Sequence, residues 1–134
     1  MVLCIHMDIR IISQPTTRTE LQEIAKERFG DLVKAVVDID KGIMAIGGEL
    51  HADEEAVLLE KGSLQNNLWG INLYPDIHND DWIEFDSMIN VRPSQNNRSR
   101  GVDDETTRNK IIAIVDNLIS WLTTQMHYWK SGQP

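Results

Sequence analysis

The chain reads as a single α+β domain with a mainly antiparallel sheet of about five strands and three helices. Three observations support this. Strand-like runs alternate with helix-like runs along all 134 residues. Most connections between neighbouring strand candidates are too short for parallel crossovers. No linker, repeat or low-complexity tract divides the sequence, so residues 1–134 form one globular unit by the usual size range.

Each element has a local cause. Asp8 to Ile12 alternates in polarity and predicts a strand, which Pro15 stops. Thr17 followed by Glu20 is a capping-box pattern, so a helix begins there. Leu21, Ile24, Ala25 and Phe29 recur at helical spacing, and Gly30 is placed to end the helix. Lys34 to Ile39 and Ile43 to Ile46 flank Asp40-Lys41-Gly42 and predict an antiparallel hairpin, with Val37 and Ile39 toward the core. After Gly47-Gly48, Asp53 is a cap for a helix from Glu54 to Lys61. Leu68 to Tyr74 predicts a strand closed by Pro75. Trp82 to Val91 predicts the next, ended by Pro93, which lacks a ladder amide. Asp103 or Asp104 caps a last helix whose apolar stripe runs through Ile112, Val115, Ile119, Leu122, Met126 and Trp129.

Composition narrows the function. A net charge of −8 disfavours broad binding to nucleic acid or anionic membranes. No apolar run approaches the roughly 18 residues of a membrane span. The opening residues lack the basic region and cleavage pattern of a signal peptide. One cysteine, Cys4, allows no internal disulfide and no cysteine-based zinc site. These features place the expectation in the cytoplasm. No Gly-rich phosphate loop, dinucleotide fingerprint, paired-histidine zinc helix or nucleophile elbow is present, and no cofactor is expected.

Three stretches could carry chemistry. From Ser87 to Val102 there are three arginines and no acid, a local reversal in an acidic chain. Arg92, Ser94, Asn96, Arg98 and Arg100 form the candidate anion-binding set, because a guanidinium matches phosphate or carboxylate and the neighbours add hydrogen-bond groups. The plainer alternative is a loop that pairs its arginines with adjacent carboxylates, such as Asp103, Asp104 and Glu105. Glu84 and Asp86 lie on one strand face, about 7 Å apart by strand geometry, and could act as acid–base groups. Glu49, His51 and Asp53 form an E-x-H-x-D pattern in which His51 could serve as a base. The plainer reading has Asp53 as a cap and the other two solvated, with no metal site.

The runs Phe29 to Ile39, Gly47 to Asp53 and Ile89 to Arg100 resemble an uncharacterised family of small prokaryotic proteins, catalogued as a domain of unknown function. The resemblance covers roughly residues 8 to 120. It implies a compact domain and brings no activity, ligand or catalytic residue.

Two functions follow as expectations. The first is a binding or regulatory domain that holds a small anion, or a partner's carboxylate, with the arginine loop. It would self-associate as a homo-oligomer through Trp121, Met126, Tyr128 and Trp129 of the last helix. The second is a small enzyme acting on a phosphorylated or carboxylated substrate with Asp86, Glu84 or His51. Convergence of His51 and Asp86 beside an arginine in one concave pocket favours the second.

Overall fold

A computed structural model of the chain describes residues 8–121. In chain order the elements are β1 (Arg10–Ile12), β2 (Thr16–Thr17), α1 (Arg18–Arg28), β3 (Val33–Asp38), β4 (Ile43–Ile46), α2 (His51–Glu60), β5 (Leu68–Leu73), β6 (Ile83–Glu84), α3 (Glu105–Leu118) and β7 (Ile119–Ser120). Five strands form an antiparallel sheet in the order β1-β4-β3-β5-β6, and β2 pairs with β7 in a separate parallel bridge. The fold is α+β, with helices on both faces of the sheet.

Strand alternation divides the core. Val33, Ala35 and Val37 of β3 face one side with Met44, Ile46, Ile71 and Leu73, against Leu21 and Ala25 of α1 and Ile111, Val115 and Leu118 of α3. Val36, Ala45 and Leu68 face the other side, beneath Leu58 of α2. Each such fully buried aliphatic side chain stabilises the fold by about 1.5–3 kcal/mol. The expected hairpin is formed, with Asp38 opposite Ile43 and Val36 opposite Ala45. The Asp38 carboxylate accepts from the backbone N–H of Asp40 and Lys41, which holds the turn. Thr17 Oγ1 accepts from Glu20 N–H and caps α1, Gly30 follows at φ +92°, and Asp104 caps α3.

Three boundaries differ from the sequence expectation. The helix expected from Glu54 begins at His51, with Leu50 as N-cap and no side chain capping it. Asp53 therefore lies inside its first turn. Glu54 provides the anchor instead. Its Oε2 accepts from Gly48 N–H at 2.9 Å and ties the helix start to the preceding bend.

The strand expected from Trp82 to Val91 pairs only over Ile83 and Glu84. Continued in register, Asp86 would sit opposite Gly70. The chain turns away there, and Ser87 packs where a Gly70 side chain would be, its Cβ 2.6 Å from that position. The third change is that α3 ends at Leu118, because Ile119 and Ser120 pair with Thr16 and Thr17. Leu122, Met126, Tyr128 and Trp129 lie outside the described residues. Trp121 is partly exposed and meets Trp82 edge-to-face, with the Arg18 guanidinium against both rings.

The departure of the chain at Asp86 leaves the outer edge of β5 without a strand partner at Gly70 and Leu68. Side chains from the following loop supply the bonds. Asn90, fully buried, accepts from Gly70 N–H at 2.8 Å and donates to Gly70 C=O at 3.0 Å. The Arg92 guanidinium donates to the carbonyls of Leu68 and Gln65 and lies over the Trp69 ring at 4.2 Å. Arg92 and Asn97 bridge backbone to backbone, closing a small loop around Pro93–Gln95 with Asn96 at φ +62°. The Asn97 amide then donates to the carbonyls of Asn90 and Gly101. Loss of Arg92 leaves two carbonyls without their donor and uncovers Trp69. Arg92→Ala should therefore cost about 1–3 kcal/mol in urea unfolding, whereas Arg98→Ala, at an exposed position, should stay within about 0.5 kcal/mol.

Candidate functional site

The sheet face beneath α2 carries a polar row. Lys34 of β3 is the register partner of Asn72 of β5, and Asn72 is the partner of Glu84 of β6. Paired residues share a face, so an ammonium, a carboxamide and a carboxylate stand side by side across three strands. Tyr74 lies two residues along β5 and Asp86 two residues beyond Glu84. The N-terminal turn of α2 (Leu50, His51, Ala52) and the turn at Met88 and Ile89 rise over this row. Between them is a cleft of about 490 Å³ that these residues line together with Arg100.

Hydrogen bonds fix the polar groups. Asn72 donates to Glu84 Oε1 at 2.9 Å and to the Asp86 carbonyl at 3.2 Å. Tyr74 donates its hydroxyl to the same Glu84 oxygen at 3.0 Å. Burial, with the Glu84 carboxylate beside it, pushes the Tyr74 phenol up to about 12, so it stays a donor. The Asp86 Oδ1 accepts from Arg100 Nε at 2.7 Å. Both partners are about half exposed, at 57% and 43%, so the pair stabilises the fold little. Among the described residues, Glu84 Oε2, Asp86 Oδ2 and the terminal nitrogens of Arg100 make no hydrogen bond. Lys34 Nζ has neither a hydrogen-bond nor an ion-pair partner among them and lies 5.3 Å from the Phe29 ring.

His51 is buried at the first position of α2, with Nε2 2.8 Å from the Ile71 carbonyl. A carbonyl only accepts, so Nε2 carries the proton and Nδ1 is the basic atom in the neutral ring. Burial pulls the imidazole below its usual value. The Ile71 carbonyl opposes this, the Lys34 charge reinforces it, and the Asp86 charge and the Asn72 side chain oppose it. Asn72 Oδ1 is itself buried with no hydrogen-bond partner. It favours the charged ring because only a protonated Nδ1 could donate to it.

Glu54 lies behind the cleft wall. Its carboxyl is completely buried, and burial raises it well above the ordinary carboxylate range, against the pull of the Gly48 N–H and Lys34. Its Oε1 has no partner.

The residues singled out in the sequence part company. His51, Glu84, Asp86 and Arg100 meet in the cleft. Arg92 is turned inward on β5. Ser94, Asn96 and Arg98 are exposed on the loop and do not line the cleft, and Arg98 meets Asp103 through its backbone N–H. Glu49 ion-pairs with Arg28 at 3.5 Å, away from His51. Lys34, Asn72 and Tyr74 were not singled out. Their signal was present: Asn72 is a single polar side chain in the otherwise apolar β5, and Lys34 interrupts an apolar run in β3 that ends at Asp38.

Fold and cleft together define a small α+β domain with a polar, mixed-charge cleft on one sheet face. The chain belongs to the family described as protein of unknown function (DUF5674), whose pattern matches residues 10–118. No curated protein and no solved structure matches it.

The two buried titratable groups make opposite demands on pH. Glu54 holds its proton in the folded chain and releases it on unfolding above about 4.5, its ordinary value. Its contribution is full below that value and is lost as pH rises toward the raised folded value. His51 is neutral when folded and gains a proton on unfolding below about 6.5, so stability falls there as pH drops. Unfolding free energies of wild type and Glu54→Gln should diverge in favour of the variant as pH rises above about 4.5. Parallel curves would contradict a protonated Glu54.

Proposed function

We propose that this domain binds a small anionic ligand in the cleft, gripped by Lys34 and Arg100. One observation carries the reading. Among the described residues, Lys34 is an ammonium without an ion-pair partner on the wall of a concave site, and Arg100, bonded to Asp86 through Nε, has its terminal nitrogens unbonded in the same site. An exposed surface lysine would be unremarkable, but this one rises from the second position of a central strand whose other residues are buried. The uncapped first turn of α2 forms the adjoining wall and adds the positive end of a ten-residue helix. The arginine-rich loop thus contributes through Arg100, while Arg92 braces the sheet.

A second reading, a small enzyme, has its own support. His51, Glu84 and Asp86 converge on the cleft, and a neutral imidazole with a basic Nδ1 is suited to proton abstraction. The binding reading takes precedence because it rests on the charged groups of the cleft alone and requires no assigned nucleophile or leaving group.

A thermal-shift screen with inorganic phosphate, dicarboxylates, sugar phosphates and nucleotides tests the binding reading. A ligand present at 100 times its dissociation constant adds about 2.7 kcal/mol of stability. Lys34→Ala and Arg100→Ala should each weaken the affinity about tenfold or more, roughly 1.4 kcal/mol, while Arg98→Ala leaves it unchanged. The reading fails if no anion stabilises the wild type, or if the Lys34 and Arg100 variants respond as the wild type does.

A further inference from the structure

We propose that the ligand is a zwitterion, an extended molecule with a carboxylate or phosphate at one end and an amine at the other. This rests on the anion-binding reading and adds the second pole.

The argument starts from the row of three register partners. Lys34 and Glu84 carry opposite charges on the same sheet face, yet they do not meet. Asn72 stands between them, and neighbouring strands are spaced about 4.8 Å apart, so their backbones are about 10 Å apart. Lys34 is left without an ion-pair partner among the described residues. Glu84 is fixed through Oε1 alone, by Asn72 at 2.9 Å and Tyr74 at 3.0 Å, which leaves Oε2 unbonded. Both of these donors are neutral, so the Glu84 charge is oriented without being cancelled.

Asp86 does not add a second free charge to this pole, because its Oδ1 takes the Arg100 Nε–H and the guanidinium offsets it. The cleft therefore offers more than a place for an anion. One wall has an unpaired ammonium and the uncapped start of α2. The other has the Glu84 carboxylate, flanked by the Asp86–Arg100 pair, with a neutral amide between the walls.

A simple anion would satisfy Lys34 and leave the Glu84 charge uncompensated. A simple amine would satisfy Glu84 and leave Lys34 uncompensated. A molecule with separated opposite charges satisfies both poles. The apolar side chains of Leu50 and Ile89 on the cleft wall suit a short methylene spacer.

Matched probes test this on the full-length protein by isothermal titration calorimetry: pentanoate, pentylamine and 5-aminopentanoate, with ethyl phosphate and 2-aminoethyl phosphate as the phosphate pair. The expected result is at least tenfold tighter binding of one amino-bearing acid than of its amine-free counterpart and, in the carboxylate series, than of pentylamine. Glu84→Gln should abolish that advantage and leave binding of the plain anion intact or improved. Lys34→Ala should weaken plain anion and zwitterion alike. Whichever pair shows the preference identifies the acidic group. Equal binding of the plain and amino-bearing anions overturns the zwitterion while the anion-binding reading stands. An advantage that survives Glu84→Gln likewise overturns it. If neither these probes nor phosphate and dicarboxylates bind, both fall.

Discussion

The structure depends on how the outer edge of β5 is satisfied. Three alternate residues present backbone groups there, and three different partners take them. Asn72 pairs with β6. Gly70 receives the carboxamide of Asn90, which donates and accepts as a strand residue would. Leu68 receives the Arg92 guanidinium. An unpaired edge next to the core would cost free energy at each buried group. Side chains avert this where the strand itself departs. The departure is what makes a cleft possible, because a strand continuing past Glu84 would place Asp86 flat against Gly70 and fill the space below α2.

That edge also positions the chemistry. The Asn90 amide donates to the Arg100 carbonyl as well as to Gly70, and Ser87 N–H donates to the same Arg100 carbonyl. The start and end of the loop are therefore clamped together, and Arg100 arrives opposite Asp86. On the facing wall the Gly48–Glu54 hydrogen bond sets the start of α2 and with it His51. The cleft thus lies between two clamps, each built from one buried polar side chain and one glycine. Burial of Glu54 with an unpartnered oxygen weakens the fold above the ordinary carboxylate range, and it is retained at the element that holds His51.

Much of the fold was legible in the sequence because its signals are local. Thr17 and Glu20 mark a helix start, Asp40-Lys41-Gly42 marks a turn, and the β-branched run before it marks a central strand. The misplaced boundaries have non-local causes. Nothing near Asp53 shows that Glu54 will reach back to Gly48. The alternation from Trp82 to Ile89 gives no warning that Ser87 will occupy the side-chain position of Gly70. For the site, residue type singled out Glu84, Asp86, His51 and Arg100, and the folded chain brings these four to the lining of one cleft. It misjudged Arg92, whose partners are backbone carbonyls and an aromatic ring rather than an anion. It passed over Lys34 and Asn72, because their meaning lies in cross-strand register, which only the folded sheet defines.

Hydrogen exchange at Gly70 and at the Asn90 carboxamide, followed by NMR, tests the edge-completion account most directly. The Gly70 amide has no strand partner on its bonded side, so its protection comes from Asn90 alone. The account predicts that the Gly70 amide exchanges as slowly as the central β3 amides, and that the two Asn90 side-chain protons give separate, slowly exchanging signals. Rapid exchange of Gly70 with averaged, solvent-like Asn90 signals, while β3 stays protected, would contradict it.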